Sequence, residues 1–327
     1  MSEMYLAKDL YDPDKVERKP SRDGYGDGLI VAGTNDKNVV VLCADLTEST
    51  RSEAFKKQFP DRFFELGVAE QNMAGIAAGL ALNGKVPFIS SYATFSPGRN
   101  WDQLRVSVCY TKANVKVAGH HTGISVGPDG ATHQALEDLA LVRVLPNMTV
   151  ICPVDAIEAK KATVAAASHV GPTYLRFMRE KTPIVTTEKT PFEIGKAHMF
   201  REGKDVTVVA IGSQVYEALV AARSLEKDIS VEVINSPTVK PIDIDTIVAS
   251  AKKTGAVVTA EEHQINNGLG SAVAEVLAEH YPVPMARVGM RDTFGESGSP
   301  DELMDKYGMR AKNIVEAIRS VLKRKKK

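Results

Sequence analysis

The sequence predicts an α/β protein of two domains, each a mostly parallel sheet flanked by helices. Apolar runs typical of strands alternate with helical segments along nearly all of the 327 residues. The run NVVVLCADL (38–46) lacks polar alternation, as expected for a strand that is covered on both faces. The polar stretch 179–205 carries two prolines and breaks this alternation, which indicates a junction between two domains.

The elements of the first domain follow in a regular order. Its predicted strands are 38–46, 86–95, 114–121, 148–154 and 172–178. Its predicted helices are 69–84, 101–112, 133–145 and 155–169. Asn83-Gly84 is a good helix end, and Asp155 is a good helix start because its carboxylate can accept from a free backbone N–H.

The second domain has the same alternation of strands and helices. Its predicted strands are 205–213, 229–241, 256–263 and 284–290, and its predicted helices are 214–227, 244–255, 269–281, 299–309 and 311–324. We therefore expect an N-terminal arm with little core of its own (1–20), a first domain (21–180), a linker (181–204) and a second domain (205–327).

Composition excludes several classes of protein. Lys plus Arg equals Asp plus Glu, 41 each, so net charge makes no case for nucleic acid or a membrane surface. Three separated cysteines without a CxxC pair favour buried free thiols in a reducing compartment. The charged N-terminus is unlike a signal peptide, and we expect a cytoplasmic protein. The basic tail 323–327 is interpreted as a solvated helix end.

Polar side chains follow the predicted strands of the first domain. The carboxyl ends of parallel strands share one edge of a sheet, where ligands bind. The residues expected there are Asp45, Thr47, Ser49, Tyr92, Phe95, Trp101, His120, His121, Asp129, His133, Arg176 and Arg179. Taken singly, Thr47 or Ser49 is more often a helix cap, an aromatic residue more often core, and a loop histidine or arginine more often surface. The histidines lack zinc-binding spacing, so we assign no metal to them.

The stretch ELGVAEQNMAGIAAGLALNG (65–84) places Glu70 in front of a helix of small apolar residues. Burial of a carboxylate in apolar surroundings is costly, which suggests a purpose for this one. A second stretch, GYGDGL, contains a GDG triplet, but no Asn follows in the window where a diphosphate and Mg²⁺ signature would have one. We interpret it as a helix start and assign no metal to Asp27.

Several of these stretches together resemble one family. ADLTEST, ELGVAEQNMAGIAAGLA, SYATFSPGRNWDQLR, GISVGPDGATHQALEDLALVRVLPNMTV and RFMREKTP occur in the order seen in transketolases. They look like the pyrimidine-binding domain of that family, and VTVVAIGS, PTVKPID and EEHQINNGLGSAVAE look like its C-terminal domain. The resemblance covers residues 20 to 320 and implies the fold of those two domains.

The resemblance implies a cofactor and its contacts. Transketolases transfer a two-carbon ketol unit from a ketose phosphate to an aldose phosphate, in the pentose phosphate pathway, with thiamine diphosphate. Glu70 matches the residue that hydrogen-bonds the cofactor ring nitrogen N1′, where packing by small residues would exclude water. Phe95, with Tyr92 nearby and Trp101 as an alternative, matches the aromatic residues that stack on the aminopyrimidine. Asp45 matches a residue close to the thiazolium.

The substrate residues are implied in the same way. Arg22, Ser49, His121 and Arg179 match the phosphate-binding set of the family. Asp129 and His133 match residues that meet substrate hydroxyls, and His121 and His133 also belong to the catalytic set.

A complete transketolase has a further N-terminal domain that holds the diphosphate and Mg²⁺ (or Ca²⁺). Its motif is not found in this sequence, so the resemblance implies the C-terminal subunit of a split transketolase. We expect it to be inactive without a separate N-terminal subunit and to assemble as α2β2. The alternatives are a subunit like 1-deoxy-D-xylulose-5-phosphate synthase or a keto-acid dehydrogenase β subunit, since VAEQ and DGATHQ have similar forms in the synthase. A non-catalytic subunit of the same fold is a further alternative, against which Glu70, Asp45, His121 and His133 together argue. A nucleotide-binding module is rejected because no GxGxxG follows the first strand.

Overall fold

The computed structural model describes residues 5–325. The strands are β1 (Arg18–Pro20), β2 (Val39–Cys43), β3 (Phe63–Glu65), β4 (Val86–Tyr92), β5 (Lys116–His120), β6 (Thr149–Ile151), β7 (Thr173–Arg176), β8 (Lys181–Pro183), β9 (His198–Arg201), β10 (Val206–Ala210), β11 (Val231–Asn235), β12 (Thr238–Lys240), β13 (Val257–Gln264) and β14 (Met285–Met290). The helices are α1 (Ser21–Asn35), α2 (Glu53–Gln58), α3 (Glu70–Leu82), α4 (Trp101–Gln103), α5 (Asp138–Arg143), α6 (Ala156–Ser168), α7 (Gln214–Ser224), α8 (Ile244–Thr254), α9 (Leu269–His280), α10 (Pro300–Lys306) and α11 (Ala311–Lys325).

The first sheet has seven strands in the order β12-β6-β7-β5-β4-β2-β3. Its neighbours are parallel except for β12, which is antiparallel to β6. Every residue of β2 is buried, and Val39 and Val41 pack on one face while Val40 and Leu42 pack on the other. This confirms the predicted strand that is covered on both sides, with α1 and α6 on one face and α3 and α5 on the other.

The glycines of GYGDGL serve helix packing. The helix α1 begins at Ser21, so the GDG triplet lies inside it and does not start it. A Cβ atom on Gly24 would lie 2.0 Å from the carbonyl oxygen of Ala156, and one on Gly28 would lie 2.6 Å from Thr163. These two glycines therefore let α1 approach α6 closely, while Asp27 pairs with Lys19 at the surface, 3.0 Å away.

The second sheet has five strands in the order β14-β13-β10-β11-β9, and only β9 is antiparallel to its neighbour. One of its faces packs on α7 and α11, and the other on α8 and α9. The α8–α9 side merges with the core of the first sheet, because Val209, Ile211 and Ile234 lie in the same apolar cluster as Met73 and Leu104. The two sheets thus share part of one core.

The boundaries between the expected segments are crossed in three places. The stretch expected as an arm buries Leu10 and Val16 in the core of the second sheet. The segment expected as a linker contains β8 and β9, and β9 belongs to the second sheet. The predicted strand 229–241 divides into β11 and β12, and β12 returns to the edge of the first sheet. Residues 1–4 of the arm and 326–327 of the basic tail lie outside the described residues.

Two predicted helices are shorter or different. The helix expected over 133–145 is helical only over α5. The helix expected over 101–112 is α4 followed by a π-helix from Leu104 to Tyr110. The cap predicted at Asp155 is confirmed, since its carboxylate accepts from the N–H of Glu158 at 2.9 Å.

Candidate active site

The carboxyl ends of β2, β4, β5 and β7 meet at one edge, because these strands are neighbours and parallel. Tyr92 at the end of β4 is directly opposite His120 at the end of β5. The chain turns sharply after two of these strands, where Asp45 and His121 have φ angles of 58° and 53°. Left-handed backbone in residues other than glycine is uncommon and is found more often at functional sites.

Glu70 is the first residue of α3 and is only 3% exposed. Its carboxylate accepts from Nη1 of Arg99 at 3.1 and 3.3 Å, and its carbonyl oxygen accepts from Asn100 at 3.3 Å. The expectation of wholly apolar surroundings is therefore wrong: the carboxyl group is buried, but it is paired with a half-exposed arginine. The helix N-terminus also favours a negative charge at this place.

Four rings form a cluster that Arg99 links to Glu70. Tyr92 stacks on His121 with 3.9 Å between ring centroids and on Phe95 with 5.9 Å. His133 meets Phe95 edge-on at 5.4 Å, and Arg99 lies over Phe95 at 4.1 Å. We call Tyr92, Phe95, His121 and His133 the aromatic cluster.

Trp101 takes no part in the aromatic contacts described for residues 5–325. Its indole N–H donates to the carbonyl oxygen of Leu141 at 2.7 Å, and its ring packs on the core of the first sheet. Of the three candidate aromatics, Phe95 is linked to Glu70 through Arg99, Tyr92 stacks on Phe95, and Trp101 packs on the core instead.

The protonation of His121 follows from its neighbour. Nη1 of Arg22 lies 2.9 Å from Nε2 of His121, and a guanidinium can only donate, so Nε2 accepts and the ring proton is on Nδ1. Burial, with the charges of Arg22 and Arg179, lowers the pKa of His121 to about 3. The imidazole is therefore neutral at ordinary pH, and its buried Nδ1 has no partner among the described residues.

Three arginines surround this histidine, and we call Arg22, Arg51 and Arg179 the cationic cluster. Burial lowers the pKa of Arg22, and the charges of Arg51 and Arg179 lower it further. Arg51 donates to Asp23 at 2.7 Å, whereas Nε of Arg22 is buried without a partner in residues 5–325. Crowded cations with an unused donor are suited to an anion with several oxygens.

Two of the remaining predicted residues, Ser49 and Asp129, contact the cationic cluster, and Asp45 contacts Glu65 instead. Ser49 supplies its carbonyl oxygen to Arg22 at 2.9 Å. Arg179 donates to the carbonyl oxygen of Val126 at 2.7 Å and to Asp129 at 3.3 Å. Asp45 is exposed, and its N–H donates to Glu65 at 2.7 Å.

Two residues that the sequence predicts at this edge, His120 and Arg176, are instead buried in the protein interior. His120 is buried between Tyr25 and Phe177. Arg176 forms a buried ion pair with Asp138 at 2.8 Å. In residues 5–325 neither side chain has a hydrogen bond or ring contact with a residue of the aromatic or cationic cluster.

Sequence reasoning missed three residues that shape the site. Arg99 links Glu70 to Phe95, Arg51 completes the cationic cluster, and Glu65 accepts from Asp45, Thr47 and two further backbone N–H groups. Of these three residues, only Arg99 could have been found from the sequence. It lies four positions after Phe95, a spacing that brings two side chains together across one helical turn.

Residues 5–325 contain neither a metal-binding group of side chains nor a membrane-spanning helix. No group of three or more His, Cys, Asp or Glu side chains in this range is arranged to hold a metal ion. None of the helices in this range has the length and apolar character needed to cross a bilayer.

Comparisons with known proteins agree with this geometry. Residues 18–185 match the family described as transketolase, pyrimidine binding domain, and residues 195–314 match transketolase, C-terminal domain. A 6-deoxy-6-sulfo-D-fructose transketolase subunit of Clostridium sp. (strain MSTE9) is 45% identical over 312 residues, which are 95% of this chain and 97% of that protein. An apulose-4-phosphate transketolase subunit of Phocaeicola vulgatus is 34% identical, over 93% of this chain and 97% of that protein.

A solved structure described as split gene transketolase, inactive beta4 tetramer, is also similar. It is 48% identical with a TM-score of 0.88, and the match covers 93% of this chain and 98% of that one. The chain therefore belongs to the transketolase family and consists of its pyrimidine-binding and C-terminal domains, as in the C-terminal subunit of a split transketolase.

Proposed function

We propose that this chain, with a separate N-terminal subunit, transfers a two-carbon ketol unit from a ketose phosphate to an aldose phosphate. The observation that carries the proposal is one continuous series of contacts. It runs from Glu70 through Arg99 and the aromatic cluster to His121, and from there to Arg22. A carboxylate at one end and cations at the other suit a basic ring and a phosphate, respectively.

The residues at the Glu70 end fit thiamine diphosphate. This cofactor supplies the acyl-anion equivalent that no side chain can provide. The buried carboxylate of Glu70 would hold the proton at the ring nitrogen N1′, and Tyr92 and Phe95 would contact the aminopyrimidine. Asp45, exposed at the end of β2, is assigned to the thiazolium side, and the diphosphate with Mg²⁺ or Ca²⁺ is assigned to the N-terminal subunit.

The residues at the other end fit a sugar phosphate. Arg22 and Arg179 supply charge, Ser49 supplies a hydroxyl, and the neutral His121 can donate through Nδ1. His133 and Asp129 would contact substrate hydroxyls. A carboxylate at this place discriminates between two epimers of a sugar, because only one of them directs its O–H group at the carboxylate.

An exposed face of α3 supports assembly with partners. Gly75 and Gly79 have no atom within 4 Å of where a Cβ would lie among the described residues, and Ile76 and Leu82 are 37% and 65% exposed. We call Gly75, Ile76, Gly79 and Leu82 the open face. We assign it to contact with the N-terminal subunit or a second copy within an α2β2 assembly, and the structural relative described as a β4 tetramer supports self-association.

The donor sugar is the finer part of the proposal. The relatives named for a sulfofructose and for apulose 4-phosphate indicate that family members with this architecture differ in substrate. We propose a pentose phosphate such as xylulose 5-phosphate, in cytoplasmic sugar metabolism. The alternatives, a deoxyxylulose-phosphate synthase or a keto-acid dehydrogenase β subunit, would use pyruvate or another keto acid.

The test is reconstitution with an N-terminal transketolase subunit from the same organism, thiamine diphosphate and Mg²⁺. A coupled assay compares xylulose 5-phosphate, 6-deoxy-6-sulfofructose, apulose 4-phosphate and pyruvate as donors, with ribose 5-phosphate as acceptor. We expect turnover with a ketose donor only when both subunits are present. Turnover with pyruvate but with no ketose would contradict the proposal, and so would full activity of this chain alone.

A further inference from the structure

The loop from His121 to Gly130 connects the two halves of the site. It begins at His121, which faces the cationic cluster, and it carries Asp129 near its end. On the side of the first domain, Arg179 donates to the carbonyl oxygen of Val126 at 2.7 Å. At the start of the loop, Thr122 and Gly123 donate their N–H groups to the carbonyl oxygens of Phe177 at 3.3 Å and Ala135 at 2.9 Å, which also lie in the first domain.

The middle of the loop is held at Ser125 by Glu262 of the second domain. Glu262 lies on β13 and is 2% exposed. Its Oε1 accepts from the N–H of Ser125 at 2.7 Å, and its Oε2 accepts from the hydroxyl of Ser213 at 2.9 Å. A Cβ on Gly123 would lie 2.3 Å from Oε1, so the carboxylate also occupies the space beside that glycine, whose φ is +84°.

The second domain holds the rest of the loop by packing. Gly127 approaches Gly298 and Pro300, where an added Cβ would lie 3.2 Å from either residue. Gln134, just after the loop, donates to the carbonyl oxygen of Glu296 at 2.9 Å. The contact of Glu262 is of another kind, because a charged acceptor binds the loop backbone directly and a buried N–H left without it is costly.

We propose that Glu262 is a positioning residue through which the C-terminal domain sets the geometry of the loop from His121 to Gly130, which we call the substrate loop. By fixing the N–H of Ser125 it places His121 on one side and Asp129 on the other for the sugar phosphate. The role of those two residues as substrate contacts rests on the proposed function; the anchoring of the loop does not.

Two variants separate the hydrogen bonds from the shape. In Glu262→Gln the amide oxygen still accepts from Ser125, and the amide NH₂ donates to the Ser213 hydroxyl, which can rotate to accept. In Glu262→Leu the volume is similar, but both hydrogen bonds are lost. Glu232→Leu is the matched control, since Glu232 is another buried carboxylate of the same sheet and contacts Ser250 and Lys253 instead of the loop.

The first measurement is amide hydrogen exchange in peptides that cover 121–130, on the chain alone and on the two-subunit complex. We expect faster exchange of the Ser125 amide in Glu262→Leu, and exchange close to wild type in Glu262→Gln and in Glu232→Leu. Unchanged exchange in Glu262→Leu overturns the proposal. So does an equal increase in Glu232→Leu, because the effect would then reflect general destabilisation.

The second measurement is kinetic, on the complex with thiamine diphosphate and Mg²⁺. We expect Glu262→Leu to raise KM for the phosphorylated donor roughly tenfold, as for a lost buried hydrogen bond, with cofactor affinity unchanged and recovery in Glu262→Gln. A loosened loop with unaltered KM overturns the positioning role. If the wild-type complex transfers no ketol unit, the proposed function fails separately, and the exchange result still decides whether Glu262 anchors the loop.

Discussion

At the scale of single residues, Glu70 depends on neighbours that are distant in the sequence. Arg99, 29 positions later, pairs with its carboxylate and also covers Phe95. Arg99 therefore fixes the orientation of the Glu70 carboxylate, and burial keeps the carboxylate from bulk water. Its surroundings are not purely apolar. Arg99 is half exposed, but its departure would leave the buried carboxylate of Glu70 without a charge partner, which is costly.

Replacing Glu70 tests its place in the chemistry. We expect Glu70→Ala to lower kcat by on the order of 100- to 10,000-fold, because a positioned proton-sharing group is lost, and Glu70→Gln to lose most activity as well. Folding and subunit assembly should persist, as judged by thermal unfolding and sedimentation. Glu53→Ala, at the surface of α2, is the control. Normal turnover by Glu70→Ala would contradict the assignment.

Reversing the charge at Arg179 tests the phosphate end. We expect Arg179→Glu to raise KM for phosphorylated sugars about 10- to 100-fold, because a charge-assisted contact becomes repulsive. The affinity for thiamine diphosphate, measured by titration calorimetry, should change little. Arg319→Glu on the exposed side of α11 is the matched charge reversal. An equal loss of sugar and cofactor affinity would argue against a phosphate role.

At the scale of elements, α3 has two faces with opposite character. Met73, Ala74, Ala77 and Ala78 are buried against the first sheet, as the helical period predicts. The open face combines two glycines with two large apolar side chains and carries no polar residue. The nearby π-helix adds exposed apolar side chains, with Val106 at 44% and Tyr110 at 83% exposure. A helix with apolar residues on both sides is expected to be covered on both sides.

The glycines of the open face give two predictions: one substitution should raise the stability of the isolated chain, and another should weaken its assembly. Gly75→Ala should raise the stability of the isolated chain by up to about 1 kcal/mol, because alanine is the better helix former and the added methyl meets open space. Gly79→Leu should leave the isolated chain folded but weaken its assembly, because the added side chain would keep a partner at a distance. Calorimetric unfolding and sedimentation velocity measure the two effects. Ser320→Leu on α11 is the control, and assembly unaffected by Gly79→Leu would exclude this face as the interface.

At the scale of the whole molecule, the two domains are joined by buried polar contacts as well as by a shared core. Arg176 pairs with Asp138 and donates to the carbonyl oxygen of Glu262 at 2.9 Å. Asn235 on β11 donates to Glu158 of α6 at 2.8 Å. Separating the partners of such a contact leaves a buried polar or charged group without a counterpart, which costs free energy. The relative position of the two domains is therefore tightly specified.

Glu158 makes this junction sensitive to pH. Burial, with the nearby charge of Asp155, raises the pKa of Glu158 to about 8 from an ordinary value of 4.5. The folded chain therefore favours the protonated form, so its contribution to stability is complete below about pH 4.5 and is lost as the pH rises through about 8.

We expect Glu158→Gln, which mimics the neutral acid, to unfold like wild type near pH 4. It should be more stable above pH 8 by on the order of a few kcal/mol, because the neutral side chain needs no ionisation in the folded state. Urea unfolding across this pH range measures the difference. Glu316→Gln, at an exposed position of α11, is the control. A difference between Glu158→Gln and wild type that does not vary with pH would contradict the assignment.

Local patterns in the sequence determined the order of strands and helices, the cap at Asp155, the buried strand β2 and the edge at which polar side chains collect. These features depend on residues a few positions apart, whose periodicity and capping act within one element. The elements they failed to predict are short or unusual: β1, α2, β3, β8, β9, the π-helix after Gln103, and the break that separates β12 from β11 and returns β12 to the first sheet.

Tertiary structure alone decided the pairing of Arg99 with Glu70, the neutral Nδ1 tautomer of His121, the cationic cluster completed by Arg51, and the hold of Glu262 on the substrate loop. Each of these joins groups that lie dozens of positions apart. Their proximity is set by strand order and by how the two domains pack, and charges or hydrogen bonds act only across the short distances that this packing creates.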